Sequence, residues 1–154
     1  MVQEQRPGNI RYFVAKFGEG HEDEYRVEGG CYPLSHRYWP GNFSSSTPNN
    51  PIRIGDVVLL YCFQNYTGYQ DEIQGLGIGY RIDEGNDRNI LWYHYLPLIP
   101  SIDCNTIRTQ LTQAGLLQDL HNILEVGRTP YCHLHMITNE SAHTLLSGVQ
   151  IDWR

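Results

Sequence analysis

Three glycines spaced two apart, Gly75, Gly77 and Gly79, lie inside the run Gln74 to Ile82, and they follow an apolar run, Ile54 to Phe63, that opens on Gly55-Asp56. Side chains alternate along a strand with period two, so all three glycines fall on one face. A strand with one bare face makes room for something to come close. The first reading is barrel curvature, with a neighbouring backbone brought in at a tight corner; the alternative is a ligand lying against the sheet. The spacing is not a dinucleotide fingerprint, because that motif opens a helix after a strand and these glycines sit within the strand. Gly55-Asp56 reads as a tight turn, and the apolar, β-branched residues after it mark a strand buried on both faces.

A chain of 154 residues fits one domain with one core, here residues 10–154 behind a flexible lead of residues 1–9. The formal net charge of −6 argues against a broad phosphate-neutralising surface. Any grip on nucleic acid must then be local. Eleven Tyr, three Trp and four Phe suit stacking on planar ligands and suit β-barrel cores equally well. The cysteines at 31, 62, 104 and 132 have no paired redox or metal spacing and read as reduced small hydrophobes; no metal or cofactor is implied. No apolar run approaches the roughly 20 residues of a membrane span, and Met1 to Arg6 carries no signal-peptide core. The expectation is a soluble cytoplasmic protein with no membrane partner.

Taken in order, Ile10 to Phe17 reads as a first strand. Residues 18–51 are irregular: aromatics crowd between Cys31 and Pro40, and a Ser, Asn and Pro rich loop follows. After the two central strands, Asp83 to Asp87 forms a hairpin connection into a strand from Asn89 to Leu98, with Trp92, His94 and Leu96 on one face and Leu91, Tyr93 and Tyr95 on the other. Ser101 or Asp103 caps a helix through Leu111, Gly115 breaks it, and a second helical run spans Leu116 to Leu124. Tyr131 to Ile137 returns to period two, and a short capped helix from Thr138 to Leu146 stops at Gly148.

Tyr12 to Ala15, Gly55 to Tyr61 and Gly75 to Gly79, with a weaker echo in Ile137-Thr138 and the closing helix, resemble the PUA-like superfamily, and within it the EVE and YTH-like domains. The resemblance covers roughly residues 10–147. It implies an α+β fold, a small bent β-barrel with flanking helices. It further implies a module that flips a modified base of DNA, methylated or hydroxymethylated as in 5-methylcytosine, into an aromatic pocket, as in the reader modules of McrB-like restriction systems. The chain has no P-loop and no nuclease motif, so a nuclease or NTPase would be a fused or associated partner. Flipping costs a few kcal/mol, and stacking contributes about 1 to 3 kcal/mol per base, so two aromatic walls suffice without a basic surface.

On that reading the base pocket draws on Trp39, Tyr38, Ser35, His36, Tyr61, Phe63 and Trp92. Trp39 and Trp92 are the stacking walls, and Ser35 and His36 offer groups that both donate and accept hydrogen bonds. Arg37, Lys16, Arg53, Arg81 and Arg88 are the phosphate contacts. Tyr66 and Tyr69 lie in an exposed loop. For each, core packing or a solvated charge is the competing account. His133 and His135 share a strand face without a third metal ligand, and the neighbours in Asp71-Glu72 and Asp83-Glu84 point apart, so no metal site and no catalytic constellation emerges. Two rivals stand beside the base reader: an ASCH-like small hydrolase or ribonuclease, which needs a Lys, Glu or similar charged constellation inside the pocket and for which the exposure of Lys16, the only lysine, decides much, or an RNA-binding PUA-like domain. A structural barrel with its aromatics as core is the third account.

Overall fold

A mixed sheet carries the molecule, its strands ordered β2-β5-β4-β3-β1-β6 with β7 added on β5. The computed structural model describes residues 10–18, 31–33, 52–63, 71–84, 89–124 and 133–151. The elements run β1 (Tyr12–Gly18), β2 (Cys31–Pro33), β3 (Val57–Phe63), β4 (Glu72–Glu84), β5 (Asn89–Asp103), α1 (Cys104–Gln113), α2 (Leu117–Leu124), β6 (His133–Ile137), α3 (Asn139–Leu146) and β7 (Gln150–Ile151). β1 is parallel to β3, and the other pairings are antiparallel. The fold is α+β, and among the described residues the strand path runs from β2 to β6 without joining its ends.

The double-sided burial expected of β3 follows from two cores. Val14, Leu59, Tyr61, Leu76, Leu96 and Leu98 face the helices, packing with Ile107, Leu111, Ile123 and Leu145. Phe13, Ala15, Val58, Leu60, Leu91, Tyr93 and Tyr95 form the second core on the opposite face. Among the described residues no helix is long and apolar enough to cross a membrane.

The glycine face is filled neither by backbone at a corner nor by open space. A Cβ on Gly75 would lie 2.4 Å from Tyr95 Cε1, one on Gly77 2.6 Å from the Tyr93 ring, and one on Gly79 2.8 Å from Leu91 Cδ1. Tyr95 is paired with Gly77 and Tyr93 with Gly79, so each tyrosine leans diagonally over the next glycine along β4. The neighbouring strand's own side chains occupy the space.

Local chemistry sets the element ends. Gly55 has φ +95° and Asp56 N donates to Arg53 O, closing the turn into β3. The Asp56 carboxylate then holds Arg11 in a fork, Nε to Oδ1 at 3.1 Å and Nη2 to Oδ2 at 2.6 Å, and also accepts from Arg53 N at 2.6 Å. Asp56 is 5 % exposed, so Asp56→Ala is expected to cost about 2 kcal/mol, hydrogen bonds to a buried charge being worth roughly 1.5 to 3. Thermal unfolding checks this; a variant that melts with the parent would show that the Asp56–Arg11 pair contributes nothing to stability.

Of the two cap candidates for the first helix, Asp103 takes the position, its carboxylate accepting from Thr106 N at 2.7 Å. Gly115, at φ +74°, ends that helix in a Schellman pattern: Leu116 N donates to Leu111 O and Gly115 N to Thr112 O. Thr138 caps α3 by accepting from Ser141 N. Buried Asp119 of α2 accepts from Thr138 N and Oγ1 and from Ser141 Oγ, tying the two helices together. Two strands escape the sequence reading. β2 lies in the segment read as irregular, and β7 is only two residues long, below what periodicity can register.

Candidate functional site

The site is built by one extra residue. β4 and β5 pair Ile78 with His94, Gly79 with Tyr93, and then Arg81 with Trp92, leaving Tyr80 as a bulge. Before the bulge Ile78 packs toward the helix-side core, and after it Ile82 packs toward the opposite core. Tyr80 and Arg81, adjacent in sequence, therefore both belong to the face that carries Trp92 and His94. In an unbroken strand they would point apart.

The contacts bear out this geometry. The Arg81 guanidinium carbon lies 4.9 Å from the Trp92 ring centroid, and the Tyr80 and His94 rings stack with centroids 4.6 Å apart at 30°. Trp92 is half-buried, while Tyr80, Arg81 and His94 are exposed. Two aromatic platforms, one with a cation over it, thus sit side by side at the far end of the helix-side face. This arrangement can stack planar ligands and offer a guanidinium to an anion.

The remaining candidates are placed as follows. Tyr61 is 0 % exposed and its hydroxyl donates to buried Asp71 at 2.9 Å, so it has no face for a base to stack on. Lys16 is also 0 % exposed; its ammonium donates to Asn122 O of α2 at 2.5 Å and lies 5.8 Å from the Tyr61 ring centroid. A phosphate reaching it would have to displace α2, so the position is interior. Arg53 is exposed at the turn before β3. Phe63 ends β3. Ser35, His36, Arg37, Tyr38, Trp39, Tyr66, Tyr69 and Arg88 lie outside the described residues.

Of the acidic neighbours, Asp71 takes the Tyr61 hydroxyl while Glu72 accepts from Ser101 Oγ at 2.8 Å and from Gln74 Nε2 at 3.2 Å. The two carboxylates are engaged by different partners. Among the described residues no three His, Cys, Asp or Glu side chains are grouped to hold a metal. Burial raises the Tyr12 phenol above its usual 10.0, and the ring meets His143 edge-on at 5.6 Å. The stability this confers is complete below pH 10 and is lost as pH rises through the folded-state value.

A hollow of about 210 Å³ opens between α1 and α2 and is lined by Arg108, Leu117, Leu120, His121 and Leu124. It lies on the helices, apart from the β4–β5 platforms.

Sequence reasoning named Trp92 and Arg81 without joining them, and it missed Tyr80 and His94 as site residues. The face shared by Trp92 and His94 was readable from alternation, but nothing in the residues marks Tyr80 as an insertion in the ladder. The chain matches no protein-family model, and no curated protein or solved structure gives a significant match.

Proposed function

We propose that this domain is a nucleic-acid-binding module that recognises a modified base in DNA, taken out of the stack onto an aromatic surface. On this reading it is the recognising part of a modification-dependent restriction system whose cutting partner is a fused or associated nuclease or NTPase. The observation that carries the proposal is the Arg81 guanidinium held over Trp92 beside the Tyr80–His94 stack. Stacking supplies about 1 to 3 kcal/mol per base without requiring a basic surface, which suits a chain of net charge −6. Trp39 is the natural candidate for an opposing wall.

The resemblance to EVE and YTH-like domains supports the same direction, as does the sheet with helices on one face. The hydrolase alternative has less support, because the one lysine is sealed under α2.

The test is an anisotropy titration of the full chain against duplexes that differ in one methylated or hydroxymethylated base, at two salt concentrations. Preference for one modified duplex, weakened about tenfold or more by Trp92→Ala, is the expected result. Equal affinity for all duplexes, or a Trp92→Ala variant that binds like the parent, would refute it.

A further inference from the structure

Resting on the nucleic-acid reading, we infer that the β4–β5 face holds two successive nucleotides of an unpaired strand, and so selects a locally single-stranded target over a closed duplex. Trp92 and His94 stand two residues apart on one face of β5, so their platforms are separated by about 6.6 Å. Successive bases of a duplex strand are only about 3.4 Å apart along the axis. Neighbouring bases reach both platforms only after they are unstacked from each other, which a closed duplex resists and an unpaired strand permits.

Each platform has its own second member because of the bulge. Tyr80 stacks on His94, at 4.6 Å and 30°, so a base meets this exposed pair at its outer faces, and Arg81 covers Trp92 at 4.9 Å. A base takes the place of the guanidinium on the indole, and Arg81, with its long stem, moves to the phosphate between the two nucleotides. Among the described residues Arg81 is the one arginine in this group, and it contributes one phosphate contact. Binding is accordingly expected to depend weakly on salt, in the manner of about one released counterion.

The experiment uses the full chain and dye-labelled oligonucleotides of one sequence: a closed duplex, duplexes with one or two adjacent unpaired nucleotides, and the single strand as DNA and as RNA. Affinity is expected to rise from the closed duplex to one unpaired nucleotide and again, by about fivefold or more, to two. His94→Ala should abolish the second gain, and Trp92→Ala should weaken every unpaired target; thermal melts of both variants confirm that the fold is kept. A closed duplex bound as tightly as the single strand, or a second unpaired nucleotide that adds nothing, would overturn the two-nucleotide platform while leaving nucleic-acid binding intact. If none of these oligonucleotides binds, the two-nucleotide platform fails, and the broader reading falls with it only if the methylated and hydroxymethylated duplexes are not bound either.

Discussion

Lys16→Glu is expected to remove about 3 to 5 kcal/mol of folding stability. Lys16 sits on β1 between β3 and β6, is 0 % exposed, and donates to Asn122 O in the last turns of α2. That end of a helix carries partial negative charge, so an ammonium is favoured there and a carboxylate is opposed by both the carbonyl and the dipole. An uncompensated buried charge costs about 3 to 5 kcal/mol. Total stabilities of roughly 5 to 15 kcal/mol are typical, so a large share of the margin is lost. Lys16→Met keeps an apolar stem of similar length but removes the ammonium, with its bond to Asn122 O and its place over the Tyr61 ring, which is expected to cost about 2 kcal/mol. Urea unfolding followed by circular dichroism separates the two; a Lys16→Glu chain as stable as the parent would place the ammonium in solvent and void the argument.

Gly77→Val should lower stability by about 3 kcal/mol, the upper part of the range for overpacking a closed core. Even a Cβ at this position would meet the Tyr93 ring at 2.6 Å and Val58 Cγ2 at 2.9 Å, and both residues are 0 % exposed. Tyr93 cannot swing aside, because the second core surrounds it. For a domain of this length the cost corresponds to a fall in Tm of about 6 to 12 °C. Calorimetry reads it directly, and a shift of less than about 2 °C would mean that Tyr93 does not lie over β4. Because Tyr93 belongs to the face opposite Trp92, this variant also tests whether the two faces are independent: the residual folded protein should match the parent in the proposed nucleic-acid titration.

Much of the architecture could be read from local pattern. The turn at Gly55-Asp56, the two-sided burial of β3, the helix cap at Asp103, the break at Gly115 and the cap at Thr138 are short-range chemistry, decided within a few residues of each position. Alternation also placed Trp92 with His94 and Tyr93 with Tyr95, because period two holds wherever the ladder is regular. Burial was harder to read. Lys16 looked like a surface cation at the end of a strand, and only the packing of α2 over β1 turns it inward. Tyr61 looked available as a ligand contact, and only the proximity of Asp71 gives its hydroxyl an interior partner.

The residues themselves determined an α+β chain with a glycine-lined strand, many aromatics, and a net negative charge that argues against a broad phosphate-neutralising surface. The tertiary structure alone decided what fills the glycine face and which aromatics meet. Both depend on the register between β4 and β5, where one unpaired Tyr80 reverses the side to which Arg81 points. Register is a property of two strands together, summed over contacts between residues far apart in the chain, and no alternation within either strand specifies it.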